Sequence, residues 1–157
     1  MRVQITKRAD GTGLLQCIRD DGSSLWQKQS ERHAAHFALH DLTHFAVETT
    51  LGYKNGFFGL VEQGWEMDDI TGKGGRGRLP TEAVEVEGIV GLFDAERACG
   101  AHWTSEEFNA FAKLRAEDGT SVKTLADEDL LNIRACRNEL FARWSAVKTG
   151  EKLALEF

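Results

Sequence analysis

The chain has 157 residues, of which 41% are hydrophobic and 28% are charged, and its formal net charge is −6. This length and composition predict one folded domain over residues 1–157 and exclude a disordered chain. The negative charge argues against a nucleic-acid-binding protein, which needs a basic face to displace counterions from phosphates. No apolar run approaches the roughly 18 residues of a membrane span, so we expect no membrane partner.

The cysteines and the first residues bear on the location of the protein. Cys17, Cys99 and Cys136 are odd in number and widely spaced, which is typical of reduced thiols in a cytoplasm. Residues 1–8 alternate polar and apolar side chains and lack the apolar centre of a signal peptide. We therefore expect a cytoplasmic protein.

Strands are predicted first along the chain. Val3 and Ile5 alternate with polar neighbours, and Asp-Gly turns then bound a second run at 14–19. A short third strand begins at Leu25. This pattern predicts an antiparallel meander.

Helices follow the meander, and a last strand follows the helices. Caps and apolar periodicity predict helices at about 30–51, about 57–67, from Pro80 to near Gly100, from the capping box at Thr104, and from about Leu130 to Gly150. The alternation of Leu153, Leu155 and Phe157 then predicts a strand, which needs a sheet to join. The sequence therefore predicts an α+β fold, with a small antiparallel sheet built from both ends of the chain and about five helices packed against it.

Four of the five histidines fall on the first predicted helix. On a helical wheel, His33, His36, His40 and His44 lie within an arc of about 80°, and Glu48 continues that side one turn further on. Residues three and four apart stack with Cβ atoms ~5–6 Å apart. His36 with His40, and His40 with His44, are each spaced to hold one ion between two imidazoles.

The histidine side of this helix also carries Phe37, Val47 and Leu51. A helix that is apolar all round is usually buried, and a buried polar group without a partner costs about 1–3 kcal/mol. The imidazoles therefore need hydrogen-bond partners or a ligand. A bound metal, a metal-free ligand pocket or polar network, a pH switch, and an interface with a partner or a second copy in a homodimer all remain open at this point.

The segment His40-Asp41-Leu42-Thr43-His44 is similar to the HExxH signature of the zincin metalloproteases, with aspartate in place of glutamate. In that family the two histidines bind zinc, and the carboxylate serves as a general base toward a zinc-bound water. The resemblance covers five residues. It implies His40 and His44 as zinc ligands and Asp41 as a candidate base, one methylene shorter than the glutamate of the family.

A catalytic zinc site needs a third protein ligand and a position left open for water. Glu48 lies one turn beyond His44, and a turn as short as 52–56 would return the second helix antiparallel and bring Glu62 near. We expect a divalent metal, zinc first, with ligands drawn from His36, His40, His44, Glu48 and Glu62. Asp41 or Glu48 is the candidate catalytic base, and a small molecule undergoing hydrolysis is the expected substrate.

Two further polar segments have simpler interpretations. Residues 71–78 contain four glycines, and this composition predicts a mobile connector that could also close over the histidines as a lid. A phosphate-binding loop is the alternative for this segment, although it lacks the GxxxxGK[ST] spacing. Glu82, Glu85 and Glu87 are interpreted as a solvated helix face.

Overall fold

The computed structural model describes residues 1–28, 34–115 and 123–157. In chain order the elements are β1 (Arg2–Lys7), β2 (Gly13–Ile18), β3 (Ser24–Lys28), α1 (Ala34–Leu51), α2 (Phe57–Glu62), α3 (Met67–Ile70), α4 (Thr81–Cys99), α5 (Ser105–Arg115), α6 (Asp127–Ala146) and β4 (Lys152–Glu156). The predicted α+β class is confirmed, because one four-stranded antiparallel sheet is packed against helices.

The sheet has the strand order β3-β2-β1-β4, so the first and last strands of the chain are neighbours. Val3 of β1 lies opposite Cys17 of β2 on one side and Leu155 of β4 on the other. These three side chains are buried, and they share one face because side chains alternate along each strand. The prediction that both ends of the chain meet in one sheet is therefore confirmed.

The helix α1 lies at the centre of the helical layer and contacts both α4 and α6. Leu42 and Ala46 are fully buried there and belong to the same hydrophobic core as the inner face of the sheet. Gly100 ends α4 in the left-handed conformation at φ 63°, as a C-terminal glycine commonly does. None of the helices in the described ranges combines the length and apolarity that a membrane crossing requires.

The predicted helix over 57–67 is divided in the structure. Helix α2 ends at Glu62, and Gly64 then adopts φ 82°, a left-handed conformation that interrupts the helical ladder. Glu66 opens α3 as its N-cap, and its backbone N–H donates to Asp69 Oδ2 at 3.3 Å. The predicted start of the first helix at Ser30, and the side chain of His33, lie outside the described residues.

The composition of residues 71–78 predicts a mobile connector. In the structure, Arg76 of this segment makes specific contacts with the residues before it. Arg76 donates from Nη1 to the carbonyl of Gly64 at 2.6 Å and from Nη2 to the carbonyl of Gln63 at 3.3 Å. Its guanidinium also lies 4.9 Å from the centre of the Trp65 ring. These contacts tie the segment to the connection between α2 and α3.

Candidate metal centre

The histidines of α1 face carboxylates of α4. His40 Nδ1 lies 2.7 Å from Asp94 Oδ2, and His44 Nε2 lies 3.4 Å from Glu87 Oε1. A step forward along α1 from His40 to His44 corresponds to a step backward along α4 from Asp94 to Glu87. The two helices therefore run antiparallel, with imidazoles on one and carboxylates on the other.

Among the described residues, two overlapping groups of three side chains could hold a metal ion. We call His36, His40 and Asp94 the outer cluster, and His40, His44 and Glu87 the inner cluster. In each group, one potential ligand atom per residue lies within 4.8 Å of the other two. The two clusters share His40, so the question is which of them suits a cation better.

The outer cluster is already closed by hydrogen bonds. The 2.7 Å separation of His40 Nδ1 and Asp94 Oδ2 is that of a hydrogen bond and leaves no space for an ion between the two atoms. Arg97 Nη2 lies 3.2 Å from Asp94 Oδ1 and 3.1 Å from His36 Nδ1. Because a guanidinium repels a divalent cation at this range, the outer cluster is a poor metal site.

One pair of ligand atoms in the inner cluster has the spacing that a tetrahedral metal requires. Metal–ligand bonds of about 2.0–2.1 Å place neighbouring ligand atoms about 3.3 Å apart in a tetrahedron. His44 Nε2 and Glu87 Oε1 are 3.4 Å apart. The His44 side chain is only 3% exposed, whereas that of Glu87 is 51% exposed, so the cluster is shielded on one side and accessible on the other.

Each imidazole of the inner cluster is held by a separate carboxylate through its Nδ1. Asp94 holds His40, and Glu48 Oε1 lies 3.3 Å from His44 Nδ1. Metal-binding histidines usually donate the second ring N–H to a carboxylate or carbonyl in this way, which fixes the tautomer and the ring orientation. The same pattern here leaves Nε2 of each ring as the nitrogen that could bind a metal, and Nε2 of His44 lies beside Glu87 Oε1, another potential ligand atom.

Glu48 connects the inner cluster to the start of α2. Its carboxylate is fully buried, and Oε2 accepts hydrogen bonds from the backbone N–H groups of Phe58 at 3.0 Å and Gly59 at 3.3 Å. A Cβ atom at Gly56 would lie 2.8 Å from Glu48 Cγ, so a larger residue would displace this side chain. The position of the His44 ring therefore depends on the loop that leads into α2.

The sequence-predicted ligands are only partly brought together. His36, His40 and His44 line one face of α1, with ring centroids 5.5 Å apart for the first pair and 4.8 Å apart for the second. Glu48 lies behind His44 and belongs to neither cluster. Glu62 also lies outside both clusters, and its Oε1 is 3.4 Å from the amino group of Met1.

Two carboxylates of the site were missed from the sequence. The sequence pattern around Glu87 predicts a solvated helix face, and no sequence pattern assigns a role to Asp94. Their spacing of seven residues places both on one side of α4, which is a usable signal once α4 is known to be the neighbour of α1. The sequence alone offers several carboxylate pairs on helices and does not say which helix packs beside the histidines.

A cavity of about 280 Å³ opens beside the inner cluster. His40, His44 and Glu87 line it, together with Asp41, which is 5% exposed. The rest of the wall is formed by Gln27, Phe37, Phe57, Met67, Ile70 and Thr71. Of the two residues that the sequence predicts as candidate catalytic bases, Asp41 therefore lies in the wall of the same cavity as the inner cluster, and Glu48 does not line it.

The electrostatics of the metal-free cluster are dominated by His44. Burial alone lowers the pKa of His44, but hydrogen bonds and charge interactions with Glu48 and Glu87 outweigh it and raise that pKa to about 10. Desolvation raises the pKa of Glu87, yet its contacts with His44 leave that pKa below the ordinary glutamate value. At neutral pH the cluster thus holds the imidazolium of His44 beside the carboxylate of Glu87, and a metal would have to displace the proton of His44.

This protonation predicts a pH-dependent stability of the metal-free protein. The folded pKa of His44, about 10, lies above the model value of 6.5, so its stabilising contribution is fully present below pH 6.5 and is lost as the pH rises toward 10. Urea unfolding with a chelator should show the wild type losing stability relative to His44→Gln across this window. The exposed His102 supplies the control, because His102→Gln should keep the wild-type profile. Parallel profiles for wild type and His44→Gln would contradict this expectation.

The fold and this cluster define an α+β protein with a candidate metal centre between two antiparallel helices. No family model matches the chain, and comparisons with curated proteins and with solved structures also find no match. Function must therefore be inferred from the residues of this chain.

Proposed function

We propose that the protein binds one divalent metal ion, zinc first, at the inner cluster. The ligands would be Nε2 of His40, Nε2 of His44 and the carboxylate of Glu87. The observation that carries this proposal is that Nδ1 of each imidazole already bonds to a separate carboxylate, Asp94 or Glu48. Asp94 and Glu48 are therefore positioning residues, which act on the metal through the rings they hold.

The donor set favours a catalytic role over a purely structural one. Two imidazoles and one carboxylate leave a coordination position open, as in hydrolytic zinc sites, whereas structural zinc sites are closed by four protein ligands. A metal held by His40, His44 and Glu87 would supply Lewis-acid chemistry, which polarises a carbonyl group and lowers the pKa of a bound water toward neutral. Asp41, in the wall of the same cavity, is the candidate acceptor for a proton of that water. We infer a metal-dependent hydrolase acting on a small molecule.

Metal titration of protein purified without a histidine tag and then treated with a chelator tests this proposal. We expect calorimetry to report one zinc ion per chain, with binding reversed by the chelator, and weaker binding of manganese. A chain that takes up neither zinc, nickel nor manganese in this titration would remove the proposal.

A second candidate function is metal-free binding of a small ligand in the same cavity. It is supported by the apolar part of the cavity wall and by the imidazolium of His44, which could pair with an anionic group. Ligand binding that is unchanged by a chelator would favour this alternative over the metal centre.

The hypothesis that the histidine side of α1 forms an interface has less support than the metal centre. Both ring nitrogens of His44 have partners within the chain, and its side chain is 3% exposed. Only His36, at 46% exposure, offers a sizeable surface among the described histidines of α1.

A homodimer stays a prediction. A cytoplasmic location is likewise a proposal, and the three free thiols support it.

A further inference from the structure

We propose that the cavity beside the inner cluster receives a small carboxylic ester or amide with an apolar body, about ten non-hydrogen atoms in all, whose acyl–oxygen or acyl–nitrogen bond water would cleave to give an acid and an alcohol or amine. This inference deepens the proposed function and rests on it, because the carbonyl oxygen of the compound would approach the metal. It assigns the substrate class that the proposed hydrolase would act on.

The composition of the wall favours an apolar body. Phe37 of α1, Phe57 of α2, and Met67 and Ile70 of α3 contribute aromatic and aliphatic surface from three separate helices. Apart from the cluster and Asp41, the other lining side chains are the uncharged Gln27 and Thr71. Binding of a carbon skeleton here removes apolar surface from water on both ligand and protein, which is favourable.

The apolar wall is continuous with the proposed metal ligands. The rings of Phe57 and His44 are in contact, with centroids 5.5 Å apart and an interplanar angle of 51°. Phe57 in turn packs edge-on against the fully buried Phe58, at 5.0 Å and 80°. A ligand whose body rests against Phe57 would therefore have its polar head beside Nε2 of His44.

The cavity volume sets the size of the ligand. Engineered cavities of about 150 Å³ accommodate benzene, so a cavity of about 280 Å³ suits a compound somewhat less than twice that size. It lies just below the range of about 300–1,000 Å³ that drug-sized ligands occupy. This volume favours a free small molecule over a polypeptide segment, in contrast to the substrates of the proteases that share the HxxxH spacing.

Hydroxamates test this inference, because they bind zinc through two oxygen atoms and can carry bodies of different size. Calorimetry on the zinc-loaded protein would compare benzohydroxamate, which matches the cavity, with acetohydroxamate, which has the same head and lacks the ring. We expect benzohydroxamate to bind about tenfold tighter or more, because the ring is buried against the apolar wall.

Variants of the cavity wall test whether the preference for benzohydroxamate over acetohydroxamate arises in the cavity. Ile70→Ala and Met67→Ala should each reduce the preference for benzohydroxamate and leave zinc binding unchanged, since neither residue belongs to a cluster. Leu131→Ala is the matched control, because Leu131 is 61% exposed on α6 and does not line the cavity, and it should keep the full preference. Two separate wall variants are used so that the test still works if one of them fails to fold.

The outcomes separate this inference from the proposed function. Zinc binding at one ion per chain with equal affinity for the two hydroxamates would overturn the inference and leave the metal centre in place. A preference for benzohydroxamate that persists in both wall variants would also overturn it, by placing the ring outside the cavity. Failure of zinc to bind, measured in the same samples before hydroxamate is added, would overturn the proposed function itself.

Discussion

Replacing His44 with glutamine is expected to lower zinc affinity about a hundredfold or more, whereas the same change at His36 should leave it within about threefold. His44 supplies a nitrogen to the inner cluster and is nearly inaccessible to water. His36 belongs only to the outer cluster, where Arg97 already occupies its Nδ1. Calorimetric zinc titration of the two variants, after chelator treatment, measures this difference.

The two substitutions form a matched pair, because both change a histidine on the same face of α1. Glu87→Gln should behave like His44→Gln, since it keeps the shape of the side chain and removes the negative charge that binds the cation. Equal losses at His36 and His44 would instead indicate that both clusters contribute ligands. A loss at His36 alone would move the site to the outer cluster.

Replacing Glu48 with alanine is expected to lower zinc affinity about 10–100-fold, the usual effect of removing a residue that orients a metal-binding histidine. The same change should lower the free energy of unfolding by about 2–3 kcal/mol, because the N–H groups of Phe58 and Gly59 lose their buried acceptor. Glu62→Ala is the control: this other carboxylate predicted as a ligand is 41% exposed and lies outside both clusters. Zinc titration and urea unfolding provide the two measurements.

A milder change distinguishes a positioning role of Glu48 from direct ligation. Glu48→Gln keeps one acceptor oxygen, which can serve His44 Nδ1 or the N–H groups of Phe58 and Gly59 but not both, so a positioning residue should lose less zinc affinity than a direct ligand. Glu87→Gln removes a ligand charge and should cost about tenfold more than Glu48→Gln. Equal losses in the two variants would restore Glu48 to the role of ligand that the sequence predicts.

The fold could be predicted from local patterns because those patterns report burial directly. Alternation of Val3 and Ile5, and of Leu153 and Leu155, identified two strands that could bury one face only by pairing in one sheet. The break after Glu62 was missed because a glycine within a helical pattern is often tolerated. Gly64 interrupts the helix because it adopts a left-handed conformation in the folded chain, which the pattern does not reveal.

The candidate site also has a part that the sequence predicts and a part that depends on how the helices pack. The imidazoles of His40 and His44 could be predicted as neighbours because one helix fixes their spacing. Their carboxylate partners on α4 could not be chosen, since that choice depends on which helix packs beside α1. The prediction of Glu62 as a ligand depends on the second helix returning along the first. In the structure Glu48 accepts hydrogen bonds from the first backbone N–H groups of α2, and Glu62 lies beside the amino group of Met1.

Anomalous diffraction from crystals grown with zinc, recorded on both sides of the zinc absorption edge, tests the metal centre most directly. We expect one strong peak per chain, bonded to Nε2 of His40, Nε2 of His44 and a carboxylate oxygen of Glu87. A peak at His36 and Asp94, or a chain with zinc elsewhere and none at the inner cluster, would contradict this account.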